Sequence, residues 1–288
     1  MKALHAIGHL NFMLPVRSCP LLRILNKPTC IQSRHPGRRT HFSDGRIPFS
    51  PTGKVPWEGI HMSRCNTHLK KPDLPWGFSI YRCTYKDDKA WERILQLLQD
   101  SVEEFLEEGA PDLIPYHQLV INDDVTNFDG ATSHEIRDHF NAWVKEQLSL
   151  VANYPERLHM FGGSCPEYSF GARFNYALFV DDICLESLDH MTSPVVKILY
   201  KQWGNLTPEE RNYKIHPDWH DGTTEMDEED VGWMYMCADE YVELYDKFEW
   251  SYFDMWYAFY MRPPLMDGQV PERRGDRSEL PGFWRIKK

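Results

Sequence analysis

Residues 172–182 read ARFNYALFVDD, and their reading decides the fold. Phe174, Tyr176, Leu178 and Val180 alternate with Arg173, Asn175, Ala177 and Phe179. A period of two sends one set to a core face and the other to the opposite face, which predicts a half-buried strand. Asp181 and Asp182 end it, as a strand stop and as a candidate site. This strand is expected at the centre of a sheet covered by the flanking helices.

Upstream, Trp76–Tyr85 (WGFSIYRCTY) alternates in the same way and predicts a strand. Asp87 or Asp88 is placed to cap a helix on which Trp91, Ile94, Leu95, Leu98, Val102 and Phe105 form one apolar stripe. Gly109 and Pro111 stop it. His117–Asp124 (HQLVINDD) predicts a short buried strand ending in a second aspartate pair. Thr132 and Glu135 have capping-box spacing, and the helix they open carries Ile136, Phe140, Trp143, Val144 and Leu148 on one side. Downstream, Val195–Trp203 and Val231–Ala238 predict two more strands. Asp239 is expected to cap a last helix running to about Tyr260, ended by Pro263 and Pro264. The order strand, helix, strand, helix, three strands, helix predicts an α+β fold: a mixed or antiparallel sheet covered by two or three helices, a sandwich of ferredoxin-like type.

The 288 residues carry a net charge of -11, unevenly spread. Residues 1–43 hold seven Lys or Arg and no acid, so all 43 acidic residues lie in 44–288. An acidic body argues against a nucleic-acid partner and an anionic membrane surface. No apolar run reaches the roughly 18 residues of a membrane span. Seven cysteines at scattered spacing, without a C-x-x-C pair, argue for a reducing compartment and against a disulfide framework or zinc site. The division expected is a disordered basic leader over 1–72, an α+β domain over 73–265 and a charged tail over 266–288, in which Phe283 and Trp284 are the residues suited to dock. The cytoplasm is the expected compartment. The acid-free leader makes a mitochondrial presequence the alternative, although Gly8, Pro15 and Pro20 interrupt an amphipathic helix.

WGFSIYRCTY, the helix from Asp87 to Gly109, RFNYALFVDD and DVGWMYM together resemble a family of uncharacterised filamentous-fungal proteins, over roughly Pro75–Pro264. The resemblance implies no established activity, cofactor or catalytic residue. It also implies that the first 70 or so residues lie outside the shared domain.

Four features are candidate sites. Asp123–Asp124 and Asp181–Asp182, if brought to one sheet edge, would offer hard carboxylate oxygens to Mg²⁺ or Ca²⁺. His216 and His220 are four apart, a zinc spacing on a helix, but Pro217 lies between them. In His159–Cys165, a Gly-Gly-Ser turn and a histidine precede Cys165, an arrangement able to activate a thiol. The run Trp250–Met261 has aromatics on more than one helical face, and Trp256, Tyr257 and Tyr260 are the expected contacts to a ligand or partner. Asn205-Leu-Thr207 and Arg274-Gly275-Asp276 are discounted as chance matches, and no P-loop or dinucleotide fingerprint is present. The leading expectation is a non-catalytic binding module that uses the aromatic C-terminal helix, with no cofactor. The alternative is a metal-dependent hydrolase using the aspartate pairs or the His216/His220 loop.

Overall fold

Among the described residues, five strands form one mixed sheet in the computed structural model, which describes residues 59–60, 74–107, 109–151, 170–203, 230–249, 255–266 and 280–285. All of these belong to one unit, Pro48–Lys288. The strands are β1 (Ser79–Arg82), β2 (Val120–Asn122), β3 (Tyr176–Val180), β4 (Val195–Tyr200) and β5 (Trp233–Cys237). Their order is β2-β1-β3-β4-β5. β1 runs parallel to both β2 and β3, whereas β3–β4 and β4–β5 are antiparallel.

The parallel half follows from the two helices that separate its strands. Parallel strands need a crossover, and each helix supplies one. Helix α1 (Asp88–Glu107) lies between β1 and β2 in the chain and buries Trp91, Ile94, Leu98, Val102 and Leu106 on one face of the sheet. Asp87 caps it, its carboxylate accepting from the Ala90 N–H at 2.9 Å. A single turn, α2 (Val125–Phe128), precedes helix α3 (Ser133–Val151), whose Ile136, Phe140, Val144 and Leu148 cover the other face. The capping box forms as the spacing predicts. Glu135 accepts from the Thr132 N–H at 2.8 Å, and Thr132 Oγ1 accepts from the Glu135 N–H at 3.3 Å.

Helices therefore pack on both faces. The α+β class and the mixed sheet are as expected. The ferredoxin-like arrangement, with helices gathered over one face of an antiparallel sheet, is replaced by this two-sided covering. The same fact corrects the reading of the central strand. Residues 172–175 form a helical turn, α4 (Ala172–Asn175), so Arg173 and Asn175 do not belong to the strand. The alternates left in β3 are Ala177 and Phe179, both apolar, and they meet the α3 layer while Tyr176, Leu178 and Val180 meet the α1 layer. All five residues are buried.

A further helix, α5 (Asp182–His190), was not expected between β3 and β4. Nine residues are too few for helical periodicity to stand out beside a strand, and its start signal, Asp181, also suits a strand end. The expected last helix is two: α6 (Tyr241–Glu249) and α7 (Met255–Phe259). Asp239 does not cap α6. It sits in the 3-10 turn Ala238–Glu240 and accepts from Ser193 Oγ at 3.3 Å. Ile60 is fully buried with the α1 layer, and its N–H donates to Asp246 Oδ1 at 2.9 Å. One apolar anchor is invisible to composition averaged over seventy residues.

Candidate functional site

Parallel pairing on both sides of β1 brings the C-terminal ends of β1, β2 and β3 to one edge of the sheet. In open sheets with parallel strands, ligands bind outside such an edge. Both aspartate pairs lie there, separated by β1 and its last residue, Arg82.

Each carboxylate has a defined duty. Asp181 is the N-cap of α5, and its Oδ1 accepts from the Ile183 and Cys184 N–H groups at 3.1 and 3.2 Å. Its Oδ2 pairs with Lys197 Nζ at 2.8 Å. Asp182 accepts from Thr84 Oγ1 at 2.5 Å through Oδ1 and pairs with Lys86 through Oδ2. Asp124 caps α2, accepting from the Thr126 N–H at 2.9 Å and from Asn127 Nδ2 at 2.7 Å. Asp123 faces Arg82 Nη1 at 3.5 Å. Arg82 is itself buried. It also pairs with Asp88, donates from Nε to the Thr84 carbonyl at 3.0 Å, and lies with its guanidinium 4.4 Å from the Tyr85 ring centre.

The edge is thus a network of caps and ion pairs that ties three loops, the start of α5 and β4 together. A divalent cation there would have to compete with Arg82 for Asp123, with Lys86 for Asp182 and with Lys197 for Asp181. No group of three or more His, Cys, Asp or Glu among the described residues is placed to hold a metal ion. The two aspartate pairs share this edge, and β1 with its arginine stands between them. His216, His220 and the His159–Cys165 stretch lie outside the described residues.

Electrostatics agree with structural duties. Burial alone would raise the Asp181 carboxyl, but the Lys197 ammonium and the α5 N–H groups outweigh it and hold it below the usual carboxylate range. Burial, reinforced by the Asp181 charge, pushes the thiols of Cys83 and Cys184 far up, so both stay protonated and unreactive. At the opposite edge, burial pulls His117 down to about 3, and the neutral ring bonds the Tyr241 hydroxyl at 3.0 Å.

The residues that organise the C-terminal edge are Lys197, Arg82 and Thr84, none of which was singled out from the sequence. Lys197 had a signal: a cation inside the apolar strand VVKILY needs a buried counter-charge. It is 5% exposed, with its ammonium 4.0 Å from the Trp233 ring centre and also facing Phe179 and Tyr235.

The aromatic residues of α7 divide. Trp256 is fully buried, stacks on Tyr200 with ring centres 5.3 Å apart, and donates from Nε1 to Asp230 Oδ2 at 2.7 Å. It belongs to the core rather than to a contact surface, because the stack needs its whole ring. Tyr260 is half-buried, and its hydroxyl accepts from the Val231 N–H at 3.0 Å. Tyr257 alone of the three is exposed, at 67%. No helix among the described residues is long and apolar enough to cross a membrane. No family model matches the chain, and no curated protein or solved structure matches it.

Proposed function

We propose that the protein is a non-catalytic binding module whose contact element is α7, with Tyr257 as the contact residue. The carrying observation is the division within that helix. Trp256 and Tyr260 fix it to Asp230 and Val231 on the approach to β5, while Tyr257, between them in sequence, stands 67% exposed. An aromatic side chain has few rotatable bonds and loses little freedom on binding, and such residues are favoured as interface anchors. The lattice of paired charges at the sheet edge supports the same reading, since its carboxylates are engaged in caps and ion pairs. The cytoplasm is the compartment proposed, in keeping with Cys83 and Cys184 as buried free thiols.

The test is a photo-crosslinking amino acid at position 257 of the full chain, expressed in the cells that make it. Leu150, 64% exposed on α3, is the control position. The reading requires a discrete adduct from position 257 that is missing from position 150, is competed by excess wild-type chain and is not competed by Tyr257→Ala. No adduct, or equal competition by both competitors, sinks it.

A further inference from the structure

Helix α5 carries a second, separate recognition feature on its outer face. Glu186 lies there with its carboxylate engaged by the C-terminal segment. Arg285 Nε donates to Oε2 and Nη2 to Oε1, both at 2.8 Å, a bidentate fork. Trp284 Nε1 donates to the same Oε2 at 2.6 Å. One turn on, His190 stacks on the Trp284 ring, with ring centres 4.9 Å apart and planes 15° apart. One carboxylate and one ring, four residues apart on a helix face, thus recognise a tryptophan and the arginine that follows it.

The helix does not depend on this occupant. Asp181 caps its start, Ile183, Cys184 and Leu185 are buried, and Ser187 Oγ accepts from the Val195 N–H at 3.0 Å. Arg93 of α1 ties its far end through Asp189 at 3.1 Å. The receptor face is therefore built whether or not Trp284 and Arg285 are seated. The seated contact, by contrast, is half open to water: the Glu186 side chain is 41% exposed, and Trp284 is half-buried. The bidentate pair gives the clasp its specificity, and its exposure to water lets an identical segment compete for it.

We propose that the Glu186–His190 face of α5 is a docking surface for a Trp-Arg segment, and that Leu280–Arg285 is its exchangeable occupant, replaceable by the same segment of a second copy. The two roles share one chemistry, so a swap between copies conserves every contact, as in reciprocal domain exchange. The proposal does not involve Tyr257 and stands apart from the α7 reading.

The test uses the full chain and a labelled peptide of residues 280–288, LPGFWRIKK, as the second copy's segment, followed by fluorescence anisotropy. Arg285→Glu repels Glu186 and vacates the clasp in cis. The peptide is expected to bind Arg285→Glu at least tenfold more tightly than the wild type. In the Arg285→Gln background, adding Glu186→Lys should abolish binding of the wild-type peptide, and a peptide with its own Arg285 changed to Glu should restore it. Arg285→Gln serves as the second vacating variant if the charge reversal disturbs folding. Equal binding to wild type and vacated chains overturns the proposal. So does absence of binding to a vacated chain whose circular dichroism and melting curve match the wild type.

Discussion

Lys197 Nζ reaches Asp181 Oδ2 at 2.8 Å across the β3–β4 ladder, within a box made by Phe179, Trp233 and Tyr235. The lysine is 5% exposed and the aspartate side chain 30%, so the two partners are not equivalent. Removing the aspartate charge strands an ammonium among apolar rings, whereas removing the lysine leaves a carboxylate that still caps α5 and still reaches water. Asp181→Asn should therefore cost roughly 2–3 kcal/mol, somewhat below a fully buried pair because of that exposure. Lys197→Met should cost less, and the double variant should recover much of the loss. Urea denaturation of the four proteins at neutral pH measures this, and a loss for Lys197→Met equal to or above that for Asp181→Asn contradicts it.

The two half-buried aspartates should respond to acid in opposite directions. Asp181 has a lowered folded-state pKa, so its stabilisation is present above the ordinary carboxylate range and is lost as pH falls through the folded value. The melting-point advantage of wild type over Asp181→Asn should shrink on acidification. Asp230 is the reverse case. Burial raises its carboxyl although Gly232 N–H and Trp256 Nε1 donate to it. A raised folded pKa means that the native state takes up the proton first, so Asp230 penalises the fold least below that value. Wild type should gain on Asp230→Asn as pH falls from 7 toward 5. Melting curves from pH 7 to 5 decide the sign for Asp230, and curves continued below about pH 4, the ordinary carboxylate value, decide it for Asp181.

Legibility tracked how far a signal extended along the chain. The stripe of α1 and the Thr132/Glu135 box are local patterns, and both appear where the spacing placed them. The C-terminal edge was half legible. Two aspartate pairs after two strands suggested a shared edge, and parallel pairing provides it. What fills that edge was not legible, because Arg82, Lys86 and Lys197 reach the carboxylates from other segments, and only the topology of β1, β3 and β4 brings them near. In α7 the composition showed an aromatic surplus but not which ring faces inward. That was settled by Asp230, 26 residues upstream of Trp256.

That inward choice makes adjacent residues behave differently. Trp256→Ala removes a ring stacked against both Tyr176 and Tyr200 and takes one of two donors from the Asp230 carboxylate, so a loss of about 3–5 kcal/mol is expected. Tyr257→Ala, at an exposed position, should change stability by no more than about 0.5 kcal/mol. Chemical denaturation of the two variants measures the contrast. A Tyr257→Ala loss comparable with that of Trp256→Ala would make Tyr257 a packing residue and remove it as the contact side chain.

Two glycines with nearly equal backbone angles separate strain from space. Gly232 has φ +74° and Gly130 has φ +71°, so an alanine at either position pays the left-handed penalty of roughly 1–2 kcal/mol. At Gly130 a methyl group would meet nothing within 4 Å, and the loss should stop there. At Gly232 it would overlap the Trp203 ring and come within 2.6 Å of Arg137 Nη2. Arg137 cannot yield cheaply. It is buried, it donates to the Tyr200 and Gly232 carbonyls at 2.9 Å each, and its guanidinium lies 4.9 Å from the Trp203 ring centre. Displacing it removes one of two donors from each carbonyl, a loss of about 1 kcal/mol each. The N–H groups of Trp203 (to Tyr200, 3.4 Å) and Tyr200 (to Gly232, 3.0 Å) remain. Gly232→Ala should therefore destabilise by at least about 2 kcal/mol more than Gly130→Ala. Trp203→Ala in the Gly232→Ala background should return part of that difference by opening room for the methyl group. Equal losses at the two glycines would mean that backbone strain alone governs the turn, and that Arg137 does not clamp it.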